Sequence, residues 1–298
     1  MSSAEQGIRT ITTSSTRKRP TRDGSGWIAS IVERIESTEF ARRFVSAYGD
    51  FRYWLFRLRR PGANFGDFYA WEIGKELDRG RSHKTLGARV HREGTGKEVG
   101  DDHDRQSFAI TGRLKFDQIL SLTEIAPTER VVDFGCGSLR IGQHVMRVIE
   151  PGNYWGFDVT DRFFSEAQSL IDPELLARAK PNLRVINPET LAEAAAAKPS
   201  LVISIAVVKH VPPGEWANYF DQLMSLVQGD ARLLITYSNG HSYGRRTSRT
   251  WTSSSEDIQR EILARRPGAR FKIARFDAGT REQSEDGEFS EMLATWGS

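Results

Sequence analysis

The chain has 298 residues, 38% apolar, 27% charged and 10% aromatic, with a formal charge of +3. This ordinary globular composition excludes a disordered, collagen-like or coiled-coil chain, and no stretch approaches the roughly 20 apolar residues of a membrane-spanning helix. The single cysteine, Cys136, excludes an internal disulfide, and with no apolar leader at the N-terminus a reducing, cytoplasmic location is expected.

Charge is unevenly spread: residues 1–106 carry 20 Lys and Arg against 15 Asp and Glu, and the remainder carries 22 against 24. Residues 1–24 are polar, rich in Ser, Thr and Arg, and lack periodicity, so they read as a disordered basic leader. A helical period follows at Trp27, Ile28, Ile31, Val32 and Ile35, and a second at Phe40, Phe44 and Tyr48 with Ser37 or Thr38 as its N-cap. FRYWLFRLRR at 51–60 is aromatic and basic at once, which suits either a groove lining or a helix packed under its own arginines. A short helix is expected through 67–78, and a polar linker rich in Gly, His and Arg over 80–106. Residues 25–106 therefore read as a helical cap with a linker.

From residue 107 the pattern becomes regular. A helix over 107–124 leads to the strand RVVDF (130–134), a Gly-rich turn and a helix through Ile141, Val145 and Val148. NYWGFDV (153–159), LRVIN (183–187), SLVISIAVV (200–208) and ARLLITYS (231–238) read as further strands. Helices are expected through Phe163 to Leu170, over 189–197, through Trp216 to Val227 and around Ile258 and Ile262. FKIARF (271–276) and FSEMLATW (289–296) can pair as two final strands. Continuous apolar strands alternating with amphipathic helices imply an α/β, mostly parallel sheet covered on both faces, and right-handed crossovers make it doubly wound. Ligands of such sheets sit at the carboxyl ends of the strands.

The chemistry concentrates in DFGCGSLR, residues 133–140, between a strand and a helix. Gly135 and Gly137 allow a tight turn with backbone bare to a ligand, and the helix behind presents unpaired N–H groups. Asp158 ends the second strand, placed to accept hydrogen bonds from a ribose diol. A pyrophosphate turn would continue to a glycine where Arg140 stands, and Asp133 would repel a pyrophosphate. Both acids suit a zwitterion bearing an ammonium and a sulfonium. On these residues the chain, over about 107–298, resembles the class I S-adenosylmethionine-dependent methyltransferases. The D-x-G-x-G turn, Asp158, Asn187 after the third strand, SIAVVKHVPP after the fourth and the terminal strand pair carry that resemblance.

The resemblance implies a Rossmann-like seven-stranded sheet whose last strand is antiparallel, and S-adenosyl-L-methionine as cofactor. Asp133, Gly135 and Gly137 would cradle its methionine part, Asp158 its ribose, and Asn187 or Glu189 its adenine edge, where relatives usually carry Asp. Arg140 would either reach the cofactor carboxylate or face solvent. His210, just past the fourth strand, is the first candidate for a general base on an oxygen acceptor, against a reading in which it only packs locally; His241 and Tyr243 are second candidates. His144 and Cys136 read as structural. His83, His91 and His103 fit no usual metal spacing, and no carboxylate set for a metal is evident, so no metal is expected.

The acceptor is expected to be a small molecule, such as a sugar, a secondary metabolite, a glycan or a lipid-linked precursor, methylated on oxygen. The chain lacks the N-P-P-[YFW] motif of base-nitrogen methylation and the cysteine pair of RNA cytosine methylation, which argues against nucleic acid. The cap aromatics Tyr53, Trp54, Phe56, Phe65, Phe68 and Trp71 would form substrate-pocket or homodimer contacts, or simply the core of the cap. The alternatives are an RNA or protein methyltransferase that uses the basic N-terminal region, and a non-catalytic module that keeps the fold.

Overall fold

The computed structural model describes residues 39–78, 102–242, 244–247, 249–276 and 289–297. The chain falls into two compact units, Met1–Arg43 and Phe44–Ser298, and the whole sheet lies in the second. The expected leader over 1–24, the helix through Trp27 to Ile35 and its neighbour's N-cap at Ser37 or Thr38 lie outside the described residues.

The two segments read separately around Phe40–Tyr48 and 51–60 form one helix, α1 (Glu39–Arg59), followed by α2 (Phe65–Asp78). Helix α3 (Asp102–Leu122) begins inside the stretch read as linker. The α/β series then runs β1 (Val131–Phe134), α4 (Gly142–Val148), β2 (Tyr154–Asp158), α5 (Arg162–Ala167), α6 (Pro173–Ala179), β3 (Asn182–Val185), α7 (Pro188–Ala196), β4 (Leu201–Ser204), α8 (Trp216–Ser225) and β5 (Arg232–Ser238). A two-stranded ribbon, β6 (Arg245–Thr247) and β7 (Thr250–Trp251), precedes α9 (Ser255–Arg265), β8 (Arg270–Phe276) and β9 (Phe289–Thr295).

The seven-stranded sheet has the order β3-β2-β1-β4-β5-β9-β8. Strands β1 to β5 are parallel, and β9 runs antiparallel between β5 and β8. The order reverses between β1 and β4, and this switch point opens a crevice at the carboxyl ends of the strands. Alternation along β1 sends Val132 and Phe134 to one face, against α8 and α9, and Val131 to the other, against α3 and α4. Both faces are thus covered by apolar layers, as the continuous apolar strands require.

Three local outcomes differ from the sequence reading. The apolar run at 200–208 leaves the sheet at Ser204, whose hydroxyl donates to the Phe134 carbonyl at 3.1 Å and meets the Tyr219 hydroxyl at 2.8 Å. Ala206 then turns the chain with φ +59°, so the residues beyond are loop and a single 3-10 turn, Val208–His210. Helix α6 and the β6–β7 ribbon were not expected.

Candidate functional site

The bend after β1 is fastened to β2 by backbone. The N–H groups of Gly135 and Cys136 both donate to the Phe157 carbonyl, at 2.7 and 2.8 Å. Gly135 has φ +87°, and a Cβ there would lie 2.2 Å from Val207 Cγ2, so the position admits glycine alone. Gly137 follows with φ +52°, and the fully buried Leu139 takes φ +59°, costly for a side chain that is not glycine. Such outliers persist only where the surroundings fix them.

Two carboxyls underlie this bend. Asp158 is 7% exposed, and its Oδ2 accepts from Gly137 N–H at 2.9 Å while Oδ1 accepts from Val159 N–H at 2.8 Å. Asp133 is 3% exposed and packed beneath the bend, where its Oδ2 accepts from the Tyr154 hydroxyl at 2.8 Å. Burial pushes Asp133 from the usual 3.8 up to about 7, the Tyr154 hydrogen bond pulling down and the charge of Asp158 pushing further up. Burial likewise pushes Asp158 up to about 6, against the pull of its backbone donors. Desolvation thus brings both pKa values close to neutral pH, and a cation beside the carboxyls would favour their ionised form.

The segment after β4 ties the crevice together. Val207 packs on Gly135. The neighbouring Ala206 N–H donates to Thr236 Oγ1 at 2.6 Å, and Lys209 Nζ sits 4.8 Å from the Phe289 ring centroid. His210 Nδ1 lies 3.0 Å from the Arg249 carbonyl. A carbonyl only accepts, so Nδ1 carries a proton. Across the crevice α2 forms a roof. Tyr69 lies 5.5 Å from the His210 ring and 6.5 Å from Phe163, in ring-centroid distance, and Ile73 packs with Phe163 and Ala167 of α5. The roof is fastened by Glu215, whose carboxylate accepts from Phe65 N–H at 2.9 Å and from the Tyr53 hydroxyl.

No protein-family model and no curated protein sequence matches this chain. Solved structures do. Magnesium protoporphyrin IX methyltransferase from Synechocystis with bound SAM matches at TM-score 0.54 and 18% identity, covering 80% of this chain and 100% of that one. The same enzyme with bound SAH matches at TM-score 0.50 and 17% identity, covering 78% and 97%. This chain has the class I methyltransferase fold.

Within that fold the expected site residues are distributed as follows. Asp133, Gly135, Gly137 and Asp158 meet at the bend. Arg140 opens the turn into α4 and is half-buried, its carbonyl accepting from Gln143 Nε2 at 3.3 Å. Asn187 lies apart as the N-cap of α7, its Oδ1 accepting from Thr190 N–H at 2.9 Å in a capping box. Glu189 is exposed on the first turn of that helix. His210 faces the roof. His241 is exposed beyond β5, and Tyr243, His83 and His91 lie outside the described residues. His144 is buried with Nε2 3.0 Å from the Ala109 carbonyl, and burial lowers its pKa. Burial raises the Cys136 thiol well above its usual range, so it is no ready thiolate. Of the cap aromatics, Tyr53, Phe56, Phe65, Phe68 and Trp71 pack on one another and on Trp251, whereas Trp54 points outward.

Three residues near the crevice were missed by the sequence reading: Tyr69, Glu215 and Glu291. Glu291 lies beside Thr236 on β9 and is 2% exposed. Its Oε2 has no hydrogen-bond partner among the described residues, and burial pushes its pKa up to about 7 against the pull of Lys115. A glutamate inside the apolar run FSEMLATW was the available signal.

A sulfonium nucleoside suits this donor set. The carboxyls beneath the bend are met by a hydroxyl and backbone N–H groups. A cation beside them would recover the charge that burial suppresses. A pyrophosphate would instead meet two acids.

Proposed function

We propose that this chain transfers a methyl group from S-adenosylmethionine to an oxygen of a small-molecule acceptor, such as a sugar or a secondary metabolite. The observation that carries the reading is the glycine-only bend backed by two desolvated carboxyls, Asp133 and Asp158. In this reading Gly135 and Gly137 leave backbone bare to the methionine part. Asp133 supplies negative charge from beneath the bend. Asp158 stiffens the bend through Gly137 N–H and, having lone pairs to spare, accepts from the ribose hydroxyls. Arg140 takes the cofactor carboxylate. Asn187 reaches adenine only through its amide nitrogen, because its oxygen is engaged by the cap.

When bound, the cofactor supplies a methyl group on a sulfonium, which an in-line nucleophile displaces as the C–S bonding pair returns to sulfur. The chain's own contribution is alignment and proton removal. The β4 loop and the α2 roof hold the acceptor between His210 and the bend and keep water out. His210 Nε2 takes the proton that the acceptor hydroxyl loses as its oxygen bonds to carbon, and the Arg249 carbonyl steadies the imidazolium through Nδ1–H. Calorimetric titration tests the cofactor assignment. The parent chain should bind S-adenosylmethionine, and Asp158→Ala should weaken binding by about 10- to 100-fold, the 1–3 kcal/mol scale of stranded polar groups. Absence of heat with the parent chain overturns the proposal.

A further inference from the structure

Helix α1 buries one side and leaves the other bare. Tyr53 and Phe56 pack inward against Phe65 and Phe68 of α2. Tyr48, Phe51, Trp54 and Leu58 are each 54–59% exposed. At about 100° per residue these four fall within an arc of about 120°, joined there by Ala47 and Leu55. Between residues 47 and 58 all six positions of that arc are apolar or aromatic. Arg59 and Arg52 border it on one side, and Asp50 and Arg57 on the other.

A second observation lies beside the stripe. A cleft of about 270 Å³ between α1 and α2 is lined by Arg52, Leu55, Phe56, Arg59, Arg60 and Trp71. Arg52, Arg59 and Arg60 contribute side chains to its walls around Leu55, Phe56 and Trp71. Arg52 is held by Glu72 at 2.6 Å, and Arg60 stacks on Phe56 at 4.9 Å. Arginine forks in this arrangement match a phosphate.

We infer that α1 is an interfacial helix that seats this protein on an anionic phospholipid bilayer, with the arginine cleft holding a lipid phosphate. A stripe of Trp, Tyr, Phe and Leu bordered by arginines matches the headgroup boundary in both polarity and charge. The arginines along α1 keep it in the plane of the interface rather than across the bilayer. The stripe is continuous and aliphatic as well as aromatic, whereas a single-stranded nucleic acid needs separate stacking platforms along a basic groove. The inference is independent of the methyl-transfer reading, since neither observation involves the bend or its acids.

The test is flotation of the full-length chain with vesicles of phosphatidylcholine, with and without phosphatidylglycerol, at low and high salt. The chain should float with the anionic vesicles and be released by salt. Phe51→Ser with Leu58→Ser should weaken binding by about tenfold or more, and Arg59→Glu with Arg60→Glu by about fivefold for each charge removed. Brominated lipid should quench tryptophan emission, and Trp54→Phe should abolish most of that change while binding persists. Absence of preference for anionic vesicles overturns the inference. So does binding indifferent to the stripe substitutions, which would place the contact in the basic leader at Arg17–Arg22. A stripe substitution that converts a dimer to a monomer in light scattering, or binding to RNA lost with the same substitutions, assigns the face to another partner and also overturns it.

Discussion

The bend after β1 and the outer side of α1 use the same two kinds of residue in opposite ways. At the bend, Asp133 and Asp158 are buried under aromatic and apolar cover, and desolvation raises their pKa values toward neutrality against the pull of backbone donors and one hydroxyl. On α1 the aromatics Tyr48, Phe51 and Trp54 are exposed, and Arg57 and Arg59 stand beside them in water. A buried acid is poised for a cation that enters a fixed cleft. An exposed aromatic stripe is suited to an extended surface. The contrast shows that the environment, rather than residue type, decides what a charged or aromatic side chain can recognise.

Gly135→Ala should break the first region outright. A Cβ at φ +87° and 2.2 Å from Val207 cannot be accommodated without moving the β4 loop. The expected cost is about 3 kcal/mol in denaturant unfolding, with loss of measurable S-adenosylmethionine binding.

The buried acids can be tested through pH. Both folded pKa values lie above the usual aspartate value of 3.8, at about 7 for Asp133 and about 6 for Asp158. In the window from about pH 4 to 7 the folded chain therefore binds more protons than the unfolded chain. Stability from these groups is complete below that window and is lost as pH rises through it. A bound cation reverses the preference, so affinity for S-adenosylmethionine should climb by roughly tenfold between about pH 5.5 and 7.5. Calorimetry in buffers of different ionisation enthalpy should register proton release, and pH-independent affinity would show that the acids do not face the ligand.

Glu215→Ala separates the roof from the bend. It strands the Phe65 N–H and the Tyr53 hydroxyl, which should cost about 1–2 kcal/mol and lower the melting temperature by a few degrees. S-adenosylmethionine affinity should change much less, because the bend is tied to β2 and not to the roof. The smallest effect is expected on α1: Trp54→Ser should alter stability by less than about 0.5 kcal/mol, since the side chain is outside the core. A larger loss in thermal unfolding would mean that Trp54 is covered.

Much of the sheet was legible because its signals are local. RVVDF, YWGFD and RLLITY are continuous apolar runs, and the helices between them repeat at 3.6 residues. The run at 200–208 was misread in length because apolar periodicity does not register that Ser204 bonds to Phe134 and Tyr219, contacts 70 and 15 residues away. Helix α6 had its own signal in Asp172-Pro173, an N-cap followed by proline at the first helical position. Asp133, Gly135, Gly137 and Asp158 could be found by spacing alone, since the bend and the end of β2 are joined by neighbouring strands. Glu215 and Tyr69 could not, because they reach the crevice only through packing between elements 150 and 141 residues apart.

By itself the sequence determined the alternation of strands and helices, the glycine bend and the acids at the first two strand ends. Periodicity, backbone freedom and charge are properties of short segments. Tertiary structure alone decided that Asp133 is buried against Tyr154, that Asn187 caps a helix, and that Tyr48, Phe51 and Trp54 of α1 face outward while Tyr53 and Phe56 face inward. The physical reason is that burial depends on which other segment arrives to cover a side chain, and burial sets whether a carboxyl stays charged, an amide oxygen remains available, or an aromatic ring joins a core.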